Sequence, residues 1–192
     1  MKTIYQLKIH FYDPLGDQDG MINHLVRKIN GPYCHCEVQF INGLACSIYM
    51  GTTVCLKHRG FDESRYTTLT IPCSKQGHTS ALDLAHTYYD LGVNFSGFKM
   101  ASSMLSIPFN VFSIEQHGTF CSELVANLLV SAGVLPRTTL THCVTPSSLY
   151  RLLESKTFVS SPVRIEKSPV FGSEMVQKSN FSEKGQTVSF KF

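Results

Sequence analysis

The sequence predicts an α+β protein in which an antiparallel sheet, formed early in the chain, carries an apolar helix on one face. Three stretches support that expectation. Residues 4–11 alternate, with Tyr5, Leu7, Ile9 and Phe11 on one side and Gln6, Lys8 and His10 on the other, the period of a half-buried strand. Asn42-Gly43 stands between two β-prone runs, the strongest short-range signal for a tight hairpin. Leu124, Val125, Leu128, Leu129 and Ala132 recur on one helical face that Gly133 and Pro136 bring to a stop.

Composition bounds the rest. The 192 residues are 43% hydrophobic and 16% charged, which suits one domain with a core, residues 1–158, followed by an appendage. A net charge of +3, without a Lys/Arg run or basic-aromatic interleaving, argues against nucleic acid as a partner. The first eight residues lack the apolar core of a signal peptide. The most apolar uncharged run, 100–114, is interrupted by serines, an asparagine and a proline, and is shorter than the ~20 residues that span a bilayer. Seven cysteines, an odd number with several inside strand-like runs, point to a reducing, cytoplasmic setting rather than a disulfide framework.

After the first strand, Asp13-Pro14-Leu15-Gly16-Asp17-Gln18-Asp19-Gly20 has acids spaced like a calcium loop but no closing glutamate, and reads as a turn. A short helix follows, with Met21, Ile22, Leu25, Val26 and Ile29 on its apolar face and Asn30-Gly31-Pro32 at its end. In the hairpin, Cys34, Cys36, Val38 and Phe40 make an apolar face while His35, Glu37 and Gln39 point the other way. Cys34 and Cys36 have C-x-C spacing, but no second ligand pair follows at zinc spacing, so they read as buried cysteines. Further strands are expected over 52–57 and 66–71, joined by a polar loop at 59–65. A helix capped by Thr79 or Ser80 should run to about residue 91, with His86 on its surface. Residues 93–117 interleave large apolar side chains with Ser, Gly, Asn and Pro, a pattern that suits core packing and an apolar substrate pocket alike. Thr145-Pro146 begins a last helix with Leu149, Leu152 and Leu153 inward. The tail, 159–192, is polar, although 187–192 alternates and could add an edge strand.

Cys121 is the main candidate for chemistry. It lies in the first turn of its helix and on the buried face, where backbone N–H groups and the positive end of the helix dipole favour a thiolate. The same N–H groups could hold an oxyanion. A free cysteine also packs as a small hydrophobe, so position alone does not separate the two roles. The separating feature is His35 upstream, at the start of a strand.

A strand-borne histidine, a hairpin, more strands and helices, and then a helix opening with Thr119-Phe120-Cys121-Ser122-Glu123-Leu124-Val125 resembles the circularly permuted papain-like (NlpC-like) superfamily. It is most similar to the YiiX-like amidase branch, whose relatives include the lecithin:retinol acyltransferase group and poxviral homologues. The matching residues are His35 with Cys36-Glu37-Val38, the Asn42-Gly43 hairpin, the Cys121 stretch, and Tyr89-Asp90-Leu91-Gly92 with Phe95 before it. The likeness covers roughly residues 4–155. It implies a permuted papain-like fold with Cys121 as nucleophile and His35 as its base. The family's third polar residue, on the next strand, falls at Ser47, twelve residues after His35. Serine orients an imidazole weakly, so Glu37 on the His35 face is an alternative, as is a dyad.

The resemblance implies a cysteine hydrolase, amidase- or peptidase-like, that cleaves an amide, isopeptide or ester bond of a peptide or acyl-bearing substrate through an acyl-enzyme. It implies no metal or organic cofactor. The alternatives are a lipid acyltransferase or phospholipase of the retinol-acyltransferase type, and an inactive cleft that binds a peptide or partner. Were the source viral, the setting would be the host cytoplasm.

Overall fold

The protein is described here by a computed structural model, which covers residues 5–14, 20–104 and 118–155. It is a mixed α+β structure with a five-stranded antiparallel sheet. The strands are β1 (Tyr5–Tyr12), β2 (His35–Gln39), β3 (Leu44–Ser47), β4 (Cys55–His58) and β5 (Tyr66–Cys73), in the spatial order β4-β3-β2-β1-β5. The helices are α1 (Met21–Asn30), α2 (Lys75–Asp90), α3 (Gly97–Met104), α4 (Cys121–Ser131) and α5 (Pro146–Glu154).

The alternation in β1 places Leu7, Ile9 and Phe11 fully inside, facing the core that α4 fills. Residue 43 makes the hairpin work. Gly43 takes φ 83 and its N–H donates to the Phe40 carbonyl at 2.9 Å, a left-handed turn that glycine adopts without a Cβ penalty. β2 and β3 then pair with Val38 opposite Cys46. The expected strand at 52–57 is shorter and later, because residue 53 bridges to Asn94 instead of joining the sheet.

α4 is the centre of the molecule. Leu124, Val125, Ala126, Leu128 and Leu129 are all fully buried, so the helix is enclosed on more than the single face its periodicity suggests. Its partners are the Leu7–Ile9–Phe11 and Cys36–Val38 side of the sheet and the small residues Ala81 and Ala85 of α2. α2 begins at Lys75, earlier than residues 79–80, because Ser74 caps it by accepting from the Gly77 N–H at 2.9 Å. Gly77 conceals that start in the sequence, yet it is required. A Cβ there would lie 2.2 Å from the Ala132 carbonyl oxygen, where α2 passes the end of α4.

α5 has the expected cap. Thr145 accepts from the Ser148 N–H in a capping box with Pro146 in the first turn. Leu149 and Leu153 are buried, but Leu152 is 39% exposed, since it lies a third of a turn off the inward line. α1 forms as expected but differs from the other helices in what it covers. Of its apolar face only Val26 is buried, and Met21, Ile22, Leu25 and Ile29 face outward. The turn at 15–19, residues 105–117 and the tail 159–192 with its expected edge strand lie outside the described residues. No helix among the described residues is long and apolar enough to cross a membrane.

Candidate active site

Cys121 is set in place by a tight crossing of two loops. The Thr119 N–H donates to the Asn94 carbonyl at 2.9 Å, and the Ser96 N–H donates to the Thr119 carbonyl at 2.7 Å. So close an approach needs glycine at 118: φ is 122, and a Cβ would come within 2.7 Å of the Asn94 oxygen. Phe120 is the extended N-cap and supplies no side-chain cap, so no side chain at the cap competes for the first-turn N–H groups. In that turn Glu123 accepts from the Thr119 hydroxyl at 3.0 Å and faces Lys99 Nζ at 3.5 Å. Lys99 thereby offsets a carboxylate that would otherwise oppose a thiolate at the helix start.

His35 opens β2 and is hydrogen-bonded to Cys121. Its Nε2 lies 3.3 Å from Ser47 Oγ and 3.5 Å from Glu37 Oε1. Its ring stacks on Tyr49, with centroids 4.9 Å apart. The structure therefore brings all four expected residues, Cys121, His35, Ser47 and Glu37, into one constellation. Ser47 and Glu37, the two alternatives for the third polar residue, both face the same ring nitrogen.

Glu37 is fully buried, which an ionised carboxylate tolerates only with charge and hydrogen-bond partners. Arg59 Nη1 donates to both of its oxygens, at 3.0 and 3.2 Å. Tyr49 Oη donates to Oε1 at 3.0 Å and Tyr66 Oη at 3.4 Å. Arg59 also donates to the Tyr49 hydroxyl, and its guanidinium lies 4.6 Å from the centre of the Phe61 ring. Phe61 in turn stacks on His10, whose burial lowers its pKa to about 4 and so favours the neutral ring. The loop at 59–65, expected as a plain polar connection, is thus the cover of the sheet's second face and the source of the carboxylate's counter-charge.

The electrostatics of the pair follow from these contacts. Burial alone would lower the His35 pKa, but hydrogen bonds to Cys121 and Glu37 and their negative charge outweigh it and raise the pKa to about 10. A hydrogen bond from the Cys36 thiol is the largest influence on Cys121. Together with the His35 hydrogen bond and charge it carries the Cys121 pKa well below that of an ordinary thiol, against the opposing effect of burial. Burial raises the Cys36 thiol, and the neighbouring Cys121 raises it further. Burial would raise Glu37, yet His35 and Arg59 hold it below the ordinary carboxylate range. All three shifts act in the direction of a thiolate–imidazolium pair, with Cys36 kept as a neutral thiol.

A narrow cleft of about 10 Å³, room for about one water molecule, lies beside Cys121; Val26, Met100, Met104, Phe120 and Pro146 line it together with the polar Asn30, Ser103 and Thr145. Met100 and Met104 belong to the apolar segment expected to contribute to a pocket; its remainder, 105–117, lies outside the described residues. Among the described residues no group of three or more His, Cys, Asp or Glu side chains is placed to hold a metal ion.

Sequence reasoning missed Arg59, Tyr49, Tyr66 and the polar role of Cys36. One signal was present: Glu37 lies on a strand next to His35, and a carboxylate in a sheet's interior demands a cation. Nothing in the sequence distinguished Arg59 from Arg65 as that cation. Comparison with family models, with curated proteins and with solved structures gives no match to this chain.

Proposed function

We propose that the protein is a cysteine hydrolase of permuted papain-like (NlpC-like) architecture, acting on an amide, isopeptide or ester carbonyl through an acyl-enzyme. The observation that carries this reading is the position of His35, hydrogen-bonded to Cys121 and, through Nε2, facing Glu37 and Ser47. A residue that only packed would not need a buried carboxylate with its own arginine. With Nε2 so engaged, the proposed mechanism assigns Nδ1 to the thiol.

In this mechanism the Cys121 thiolate attacks the carbonyl carbon and the oxygen becomes an oxyanion, held by N–H groups at the start of α4. The His35 imidazolium gives its proton to the leaving amine or alkoxide as the tetrahedral intermediate collapses to a thioester. A water molecule, deprotonated by His35, then attacks the thioester, and the carboxylate product leaves as Cys121 returns to its thiolate. Glu37 holds the ring and stabilises its positive charge throughout, while Ser47 adds a second acceptor. This division of labour weighs against the inactive-cleft reading, whose support was the weakness of Ser47 as sole orienter.

Met100 and Met104 of the apolar 93–117 segment lie beside Cys121, so fatty amides and esters belong in the substrate screen beside peptides.

The test is the pH dependence of iodoacetamide labelling at Cys121, read by peptide mass spectrometry in wild type and His35→Ala. A His-paired thiolate labels below roughly pH 6.5, whereas an ordinary thiol titrates near ~8.5. Labelling at low pH that disappears in His35→Ala supports the pair. A Cys121 that is inert, or indifferent to His35, removes the catalytic reading.

A further inference from the structure

α1 presents its apolar face to solvent. Met21 is 90% exposed, Leu25 57%, Ile29 54% and Ile22 50%. At 100° per residue these four occupy an arc of about 100°. The flank of the helix next to Ile22 is engaged, since Val26 and Asn30 line the Cys121 cleft. The polar side is basic: α1 holds no acidic residue, and His24, Arg27 and Lys28 border a groove with Gly31 and Pro32. Arg151 of α5 reaches the same place, its Nη2 3.7 Å from where a Cβ on Gly31 would sit. Arg27 is paired with Asp13 at 3.2 Å, so Lys28 and Arg151 carry most of the groove's positive charge.

We propose that α1 docks the protein on a bilayer surface containing anionic lipid. The arc of Met21, Ile22, Leu25 and Ile29 enters the boundary between headgroups and acyl chains, and lipid phosphates occupy the basic groove beside it. A helix strongly divided between apolar and basic faces, with low net hydrophobicity, is the composition that lies in a membrane interface and neither spans it nor packs as a core helix. Charge complementarity favours lipid phosphate over an acidic protein surface because the basic groups form a groove along the apolar edge, where headgroups lie when the arc is inserted. Asp17 and Asp19 precede the helix, so the apolar arc supplies the larger part of the affinity and charge the smaller. Docking through α1 also sets the Cys121 cleft at the membrane's edge, because one helix serves both.

The experiment is co-sedimentation of the full chain with vesicles of phosphatidylcholine alone and of phosphatidylcholine with phosphatidylserine. Wild type is expected to bind both, more tightly with phosphatidylserine, and salt should reduce only that difference. The double variant Leu25→Ser/Ile29→Ser should lose about tenfold or more in partitioning on both vesicles. Lys28→Glu should weaken only the anionic case. All three side chains are outside the core, so thermal melting should be unchanged, which separates lost docking from lost folding. The proposal fails if wild type remains in the supernatant with both vesicles, or if the double variant binds as wild type does. It also fails if the exposed face instead forms a dimer, seen by light scattering, that the double variant dissolves and vesicles do not displace.

Discussion

Replacing Glu37 by Gln removes one charge from the site and almost none of its shape, so it isolates what the carboxylate does to His35. Glu37 Oε1 lies 3.5 Å from His35 Nε2. At an effective dielectric constant of ~20 a unit-charge pair at that distance interacts by about 5 kcal/mol, which is a ceiling. At 1.36 kcal/mol per pH unit the ceiling is roughly 3.5 units. Arg59 shares the carboxylate at 3.0 Å and draws part of that field, while Cys121 continues to favour the protonated ring. The expected outcome is therefore a His35 pKa lowered from about 10 by roughly one to three pH units. The assay is NMR titration of the imidazole resonances, with the His35 signal identified by its loss in His35→Ala. Because Gln retains an acceptor for Tyr49 and Tyr66, the fold should persist, with some stability lost from the now unpaired Arg59. A His35 pKa within about half a pH unit of wild type, in a folded variant, would refute the assignment of Glu37 as the charge that holds the imidazolium.

Two further outcomes follow from the same geometry. The Glu37 pKa is depressed in the folded protein, so its contribution to stability is present above the ordinary carboxylate pKa and is lost as pH falls through the folded-state value. Urea unfolding midpoints should drop on acidification below about pH 4.3, and Glu37→Gln should flatten that limb while lowering the midpoint at neutral pH. Gly118→Ala forces a Cβ to 2.7 Å from the Asn94 carbonyl at φ 122, which should cost about 1–3 kcal/mol and slow Cys121 labelling by displacing the start of α4. Gly20→Ala, where a Cβ meets nothing within 4 Å, should do neither.

Several features were determined by the sequence alone because they depend on neighbours along the chain. The alternation of Leu7, Ile9 and Phe11 specifies a strand with one buried face, and Asn42-Gly43 specifies the turn that pairs β2 with β3. Cys121 between Phe120 and an apolar helical run specifies a cysteine at a helix N-terminus. Thr145-Pro146 specifies the start of α5 through its own capping box. Each is a matter of backbone dihedral preference or side-chain period, which act over a few residues. The pairing of His35 with Cys121 was legible only through resemblance, since 86 residues separate them.

What the tertiary structure decided are the features that depend on which surfaces meet. Periodicity showed that α1 has an apolar face but not that this face would be left uncovered, because amphipathicity is the same whether the partner is a core or a membrane. Gly77 hid the start of α2, since its value lies in the close passage of the Ala132 carbonyl and not in helix propensity. Glu37 gained its counter-ion from Arg59, 22 residues away, in a loop that read as polar and exposed. A buried carboxylate requires a cation, but the sequence does not say which one. Pairing β1 and β3 with β2, with β5 and β4 at the outer edges, brings Arg59, Tyr49 and Tyr66 to the same carboxylate, and only that convergence gives the buried Glu37 its partners beside His35.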